Sequence, residues 1–417
     1  MKSICVIGLG YIGLPTAAML ASTGKFKVTG VDINGDTVET IKKGETHIHE
    51  PCLGEKVARC VAEGTLVART SPAPADVYIL AVPTPITAAK QADLSYVKAS
   101  AEALVPYLEP GNLVILESTV PPRTTLDVLV PLLAQSGLTV GSELLVAHCP
   151  ERVLPGSICL EMEHNNRIIG GINELSSRTT RDLYASFVKG EMYLTDATSA
   201  ELAKLMENTY RDVNIALANE LARIGGKLGV NIWEAITMAN KHPRVNLHQP
   251  GPGVGGHCIA VDPWFIVEKA PGEARLIRLA RDINDAMPGY VARRISRELE
   301  GITDPKVALL GMAYKANVDD CRESPSLKVK EALKNLNYRV CSYDPMFPGA
   351  KGSASSLEEA LRGSDLVALL VNHEVFSYLD PRQVAGLVRT PLVFDTKNML
   401  QAAAWEKAGF KVISLGS

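Results

Sequence analysis

Cysteine is scarce and scattered. Eight occur in 417 residues, at Cys5, Cys52, Cys60, Cys149, Cys159, Cys258, Cys321 and Cys341, with no CxxC pair. Structural zinc sites need thiolates paired at short spacing, and a chain of this length needs no disulfide framework. A reducing, cytoplasmic setting is therefore expected. Aromatics are 5%, too few for a base-stacking surface. Basic excess is also missing: 43 Lys and Arg stand against 46 Asp and Glu, a net charge of -3, so nucleic acid is not an expected partner. No run of 18 or more purely apolar residues occurs, and no membrane span is expected. The stretch Ile4–Ala21 after Lys2 loosely resembles a signal peptide, but Gly8, Gly10, Gly13 and Pro15 interrupt it and a second strand follows at once. Low-complexity segments and short repeats are absent. The remaining composition, 46% hydrophobic and 21% charged, is that of a globular chain of roughly two to four domains.

The first half alternates. Ser3–Gly8, Lys27–Asp32, Asp76–Val82, Leu113–Glu117 and Leu144–Ala147 read as buried strands, with helical stretches such as Ile12–Ser22 between them. That alternation predicts a parallel sheet with helices on both faces. Near Thr195 the pattern changes: Ser199–Lys227 is helical throughout, about 42 Å long, followed by helices at Trp233–Lys241 and Ala274–Leu299. Alternation resumes with strands at Lys306–Leu310, Arg339–Tyr343, Asp365–Val371 and Leu392–Asp395 and a helix at Ser326–Leu336. The expected fold class is α/β: a Rossmann-type domain (1–195), a central helical region (196–300) and a second, Rossmann-like α/β domain (301–417).

Gly8-Leu9-Gly10-Tyr11-Ile12-Gly13 fits G-x-G-x-x-G, follows a strand and opens a helix, and Asp32 ends the next strand. Glycines permit a tight turn and close approach to a pyrophosphate, and a helix N-terminus favours negative charge. Asp32 would accept hydrogen bonds from a ribose and repel a 2′-phosphate, so NAD is favoured over NADP. Thr84, Thr119, Glu151 and Arg152 fall just past strand ends, where open α/β sheets bind ligands, although each also suits a turn or a helix cap.

Lys204, Asn208 and Arg211 share one face of the long helix at i, i+4 and i+7. A solvated face is the plain alternative. A narrow stripe of amine, amide and guanidinium also suits an anionic or polyhydroxylated ligand. Beyond it, Gly251-Pro252-Gly253-Val254-Gly255-Gly256-His257-Cys258 is a glycine loop ending on a cysteine, with Asp262 four residues on. A lone cysteine is ordinarily a small core residue. Beside an NAD fingerprint it can be a nucleophile: a thiolate adds to an aldehyde, and loss of hydride leaves a thioester for water. A thiol near pKa 8.5 gains from a cationic neighbour, for which Lys204 is favoured over His257. His242, His248 and His257 lack metal-like spacing, and no metal is expected.

These residues resemble the UDP-glucose/GDP-mannose dehydrogenase family of nucleotide-sugar 6-dehydrogenases. The resemblance covers essentially the whole chain. It takes in the Gly8–Gly13 fingerprint, Pro83-Thr84-Pro85, Glu117-Ser118-Thr119, Pro150-Glu151-Arg152-Val153-Leu154-Pro155-Gly156 and Lys204-Leu205-Met206-Glu207-Asn208. It continues through the Gly251–Asp262 loop and Gly311-Met312-Ala313-Tyr314-Lys315, and ends with Asp319-Asp320-Cys321-Arg322-Glu323-Ser324-Pro325. His242–Asn246 and His257–Phe265 are most similar to members acting on UDP-N-acetyl-D-mannosamine, with those acting on UDP-N-acetylglucosamine close. Ala92 and Ala316 stand where the family often has proline.

The resemblance implies NAD-dependent, four-electron oxidation at C6 of a UDP-N-acetylhexosamine. Cys258 would be the nucleophile and Lys204 the acid/base or oxyanion-stabilising group. Asn208 would hold the oxyanion, Asp262 and Glu151 would handle water or protons, and Thr119 is counted with them. NAD would meet Gly8, Gly10, Tyr11, Ile12, Gly13, Asp32, Thr84 and Thr119, with Arg322 closing on it. Arg152, Val153, Lys204, Asn208, Arg211, His242, Arg244, Gly253, Gly255, Tyr314 and Lys315 would bind substrate. A homodimer is implied through the central helix. The competing readings are a two-electron hydroxyacid-type dehydrogenase, which needs neither Cys258 nor residues 301–417, and an NAD-binding regulator.

Overall fold

A computed structural model describes residues 1–154 and 156–417. The chain forms two compact units, Met1–Glu207 with Trp264–Pro271, and Asn208–Pro263 with Gly272–Ser417. The first unit holds an eight-stranded sheet. Its strands are β1 (Lys2–Ile7), β2 (Phe26–Val31), β3 (Leu66–Arg69), β4 (Val77–Leu80), β5 (Leu113–Leu116), β6 (Leu145–His148), β7 (Arg167–Gly171) and β8 (Met192–Asp196). Their spatial order is β3-β2-β1-β4-β5-β6-β7-β8. The order reverses direction between β1 and β4, which opens a crevice beyond their carboxyl ends.

Buried residues run without a break along the central strands β4, β5 and β6 because both faces are covered. Ile4 and Val6 of β1, Val77 and Ile79 of β4, and Leu113 and Ile115 of β5 enter one core. The residues between them, Cys5, Ile7, Tyr78, Leu80, Val114 and Leu116, enter the other. Each such side chain stabilises the fold by about 1.5–3 kcal/mol on burial.

The expected parallel sheet needs one correction. β6 and β7 are antiparallel, with Ala147 opposite Gly171 and His148 opposite Gly170. The connection after β6 stays beyond the strand's carboxyl end, so β7 enters the sheet from that side. Strands β3, β7 and β8 were not anticipated. β3 is a short edge strand of alternating burial, and β8 is largely exposed, so neither carries a long apolar run.

In the second unit β9 (Lys306–Leu310), β10 (Arg339–Tyr343), β11 (Leu366–Leu369), β12 (Leu392–Asp395) and β13 (Lys411–Ser414) form an all-parallel sheet in the order β10-β9-β11-β12-β13. Its strands again alternate between two cores. Val307, Leu309 and Phe394 face one, and Ala308, Leu310 and Val393 the other. β13, an unanticipated edge strand, completes it.

The long helix spans Ala197–Leu228, about 48 Å, and contributes Ala197–Glu207 to the first unit and Asn208–Leu228 to the second. Within the second unit it is joined to helix Arg275–Glu298 by a desolvated cluster. Arg281 pairs with Asp212 at 2.6 Å and with Asp285 at 2.5 Å. Asn284 Nδ2 donates to Asp212 Oδ1 at 2.8 Å. Burial pushes the Asp212 carboxyl up while Arg281 pulls it down. Removing one partner of a buried pair leaves the other charge uncompensated. Asp212→Ala should cost about 3–5 kcal/mol, read as a fall in the denaturant midpoint of the second unit. An unchanged midpoint would mean that Arg281 is solvated without Asp212.

Candidate active site

The fingerprint turn follows β1. Gly8 has φ +89° and donates its N–H to Val31 O at 2.8 Å. A Cβ at Gly8 would lie 2.5 Å from Ala81 O, and one at Gly13 would lie 1.7 Å from Gly8 O, so neither position admits a side chain. A Cβ at Gly10 would meet nothing within 4 Å, so this stretch of backbone borders open space. Helix Gly13–Ser22 begins here with no side-chain cap on its N-terminal N–H groups. Asp32, just past β2, accepts the Leu9 N–H on Oδ2 and the Asn34 N–H on Oδ1, both at 2.9 Å. An open glycine, uncapped helical N–H groups and a strand-end carboxylate fit the pyrophosphate and ribose of a dinucleotide.

Thr84 and Thr119 come together: the Thr84 hydroxyl donates to Thr119 O at 2.6 Å. Glu151 is buried, paired with Arg167 at 2.5 Å, and accepts the Arg152 N–H at 2.7 Å. Arg152 pairs with Glu207 on the long helix at 2.7 Å. Pro155 of the same motif lies outside the described residues. Lys204 is buried, and Glu201 one turn earlier accepts the Arg123 N–H at 2.5 Å and the Thr125 N–H at 2.7 Å. The helix that carries Lys204 is thereby fixed to the loop after β5.

The remaining candidates lie in the second unit. Asn208 Nδ2 donates to Asp262 Oδ2 at 2.5 Å, and Arg211 donates to Asn208 Oδ1. The carboxamide is held from both ends. Cys258 is exposed, and its carbonyl accepts the Val261 and Asp262 N–H groups, so the thiol sits one turn before Asp262.

The glycine loop is pinned at its start. The Gly251 N–H donates to Asn219 Oδ1 at 2.8 Å, and Asn219 donates to Asn284 of the buried cluster. Farther on it packs against the segment after β9. A Cβ at Gly255 would lie 2.6 Å from Glu323 O, and one at Gly256 would lie 3.0 Å from the Tyr314 ring. Two motifs separated by some 60 residues thus form one surface, with Tyr314 against the loop. His242 and Arg244 are exposed neighbours, the Arg244 N–H donating to His242 Nδ1 at 3.3 Å. Lys315 is exposed, and Arg322 pairs with Asp320 at 2.7 Å. Burial, aided by the Arg322 guanidinium, lowers the His257 pKa.

Sequence reasoning missed Lys397. It follows β12, and its Nζ lies 2.7 Å from where a Cβ on Gly251 would stand, so its amine reaches the start of the glycine loop. Burial lowers its pKa to about 8. The strand-end rule, applied to β12 as it was to β4 and β5, would have found it.

Among the described residues no group of three or more His, Cys, Asp or Glu could hold a metal ion, and no helix is long and apolar enough to cross a membrane.

The first unit has the build of a dinucleotide-binding domain. Comparison with known proteins narrows the class. Profiles of the UDP-glucose/GDP-mannose dehydrogenase family match residues 2–188 (NAD binding domain), 198–286 (central domain) and 308–402 (UDP binding domain). A UDP-N-acetyl-D-mannosamine dehydrogenase of Methanococcus maripaludis is 49% identical over 100% of this chain and 97% of its own length. An NDP-N-acetyl-D-galactosaminuronic acid dehydrogenase of Ralstonia nicotianae is 48% identical over 96% of this chain and 97% of its own. The solved UDP-N-acetyl-mannosamine dehydrogenase of Staphylococcus aureus is 42% identical, superimposes with a TM-score of 0.92, and is matched over 100% of this chain and 99% of that one. The chain belongs to the UDP-glucose/GDP-mannose dehydrogenase family and is an NAD-dependent dehydrogenase. The hydroxyacid-type and regulator readings fall with that full-length membership.

Asp32→Ala should raise the ratio of NADP to NAD catalytic efficiency by about tenfold or more, since the carboxylate that repels a 2′-phosphate is gone. An unchanged ratio in steady-state kinetics would mean that Asp32 does not face the ribose.

Proposed function

We propose that this enzyme oxidises the C6 alcohol of UDP-N-acetyl-D-mannosamine to the uronate in two successive steps. The observation that carries the reading is Cys258, an exposed thiol at the end of a glycine loop, one turn before an Asp262 that holds Asn208. The sugar is chosen on the His257–Phe265 and His242–Asn246 segments and on the names of the relatives. NAD, when bound, takes up the hydride that leaves C6 in each step. Lys204 accepts the proton of the C6 hydroxyl in the first step and thereafter donates to the C6 oxygen. Asn208 donates its second amide hydrogen to that oxygen as negative charge develops there. The Cys258 thiolate adds to the aldehyde carbon to give a thiohemiacetal. Loss of the second hydride leaves a thioester on Cys258, and water cleaves it to the carboxylate and the free thiol. Glu151 and Asp262 handle that water and its protons. Arg152, Arg211, His242, Arg244 and Lys315 meet the anionic nucleotide sugar, with Tyr314 and the glycine loop beneath it.

Residues 1–195 then serve as the NAD domain, 196–300 as the central helical domain and 301–417 as the UDP-sugar domain. Use of a nucleotide sugar and NAD supports a cytoplasmic location. The long helix supports a homodimer. Leu202, Met206, Tyr210, Leu217, Ile224 and Leu228 are exposed large apolar residues spaced by four or seven along it, a seam suited to a second copy.

NADH yield with limiting UDP-N-acetylmannosamine tests the reaction. Two NADH per sugar are expected, with UDP-N-acetylglucosamine, UDP-N-acetylgalactosamine and UDP-glucose slower; one per sugar would remove the four-electron reading. Cys258→Ser should stall after the first oxidation or trap an ester, and full turnover by that variant would remove the covalent mechanism. For the dimer, Leu217→Glu with Ile224→Glu should halve the mass seen by sedimentation equilibrium. A wild-type mass already that of one chain would contradict it.

A further inference from the structure

Neither the fingerprint nor the proposed sugar contacts account for a buried charge cluster in the first unit. The antiparallel register of β6 and β7, continued past His148 and Gly170, sets Arg167 level with Glu151. The Arg167 side chain is 3% exposed. Its Nη2 is 2.5 Å from Glu151 Oε2, and its Nη1 is 3.9 Å from Glu117 Oε1 and 3.7 Å from Cys149 Sγ. Its guanidinium carbon lies 4.5 Å from the centroid of the Tyr184 ring. Glu117, the residue after β5, accepts the Tyr184 hydroxyl on Oε1 and the Thr16 hydroxyl on Oε2, the latter at 3.0 Å. Thr16 stands in the opening turn of helix Gly13–Ser22. On the far side, Glu151 holds the Arg152 N–H, and Arg152 pairs with Glu207, three residues beyond Lys204. One line of contacts therefore joins the dinucleotide helix to the helix of Lys204, with Arg167 at its centre.

We propose that Arg167 is a positioning residue: it holds Glu151 in place and, through Glu117 and Thr16, couples that carboxylate to the dinucleotide-binding helix. The role given to Glu151 rests on the function proposed above; the coupling to the dinucleotide helix does not. A purely structural account is weak. A buried ion pair stabilises a fold little more than apolar residues of the same volume would, and Arg167 Nε has no hydrogen-bond partner at all.

Two carboxylates also share one guanidinium. Burial pushes Glu117 up to about 7 against the pull of Arg167. The other titratable groups facing it are Glu151, Tyr184 and Cys149. Burial pushes Cys149 up to about 12 and Tyr184 well above its ordinary value, so both stay neutral. Glu117 thus takes up its proton near neutrality. Below that pH Arg167 belongs to Glu151 alone; above it the guanidinium is divided between the two.

The test uses the full-length enzyme with Arg167→Lys, Thr16→Val and Glu117→Gln, each first checked for folding by circular dichroism. Arg167→Lys, which cannot reach both carboxylates, should lower kcat by roughly 100-fold with KM for the sugar nucleotide within about threefold. Calorimetric titration with NAD alone should show severalfold weaker binding for Arg167→Lys and for Thr16→Val. The ratio of kcat for Glu117→Gln to that of wild type should rise as pH passes through 7. If Arg167→Lys only lowers the denaturation midpoint, while NAD affinity and the pH profile match wild type, Arg167 is structural and the proposal is overturned. Because NAD titration needs no sugar, that result is separate from any failure of the wild type to oxidise UDP-N-acetylmannosamine.

Discussion

A loop N–H has no ladder partner, and a carboxylate withdrawn from water needs donors. This protein meets both needs with one interaction, repeated at the ends of its strands and helices. Asp32 accepts the Leu9 and Asn34 N–H groups. Glu201 accepts those of Arg123 and Thr125, Asp344 those of Met312 and Ala313, and Asp395 those of Lys397, Met399 and Leu400. Each hydrogen bond to a charged group contributes about 1.5–3 kcal/mol, more than a neutral one. Every loop held in this way carries a candidate site residue or adjoins one. The loops that carry the candidate residues are therefore held by these carboxylates.

The same device shows how one plan serves two ligands. Gly8 and Gly311 share a left-handed backbone, φ +89° and +90°, and each donates to the end of the neighbouring strand, Val31 O or Tyr343 O. Asp32 and Asp344 occupy matching places after β2 and β10. They differ in what else they meet. Asp32 binds one N–H through each oxygen. Asp344 is fully buried and is also joined by His373 Nε2 at 3.0 Å. The second turn thus buries the carboxylate that the first leaves partly exposed.

Much of this was legible in the sequence, for a local reason. The fingerprint, the central buried strands and the long helix announce themselves within short windows, because periodicity and glycine spacing are local signals. The glycine loop with Cys258 is local as well. What stayed hidden depends on contacts across the chain. Arg167 sits in no motif, and its meaning comes from an antiparallel pairing that the strand pattern did not show. Tyr314 and Gly256 read as separate motifs until the fold laid a ring on the loop. Lys397 is far from the Gly251 loop in sequence and meets it only in the fold. Edge strands β3, β8 and β13 escaped because partial exposure breaks the apolar run on which strand recognition rests.

In the proposed reaction, pinned loops matter because they would present the Cys258 sulfur to a carbon undergoing oxidation. Mass spectrometry of enzyme acid-quenched during turnover of UDP-N-acetylmannosamine with NAD addresses that directly. The account predicts a fraction of protein heavier by the sugar nucleotide acyl group, located by digestion to the peptide containing Cys258. Protein that keeps an unmodified Cys258 at every quench time, while uronate accumulates, would contradict it.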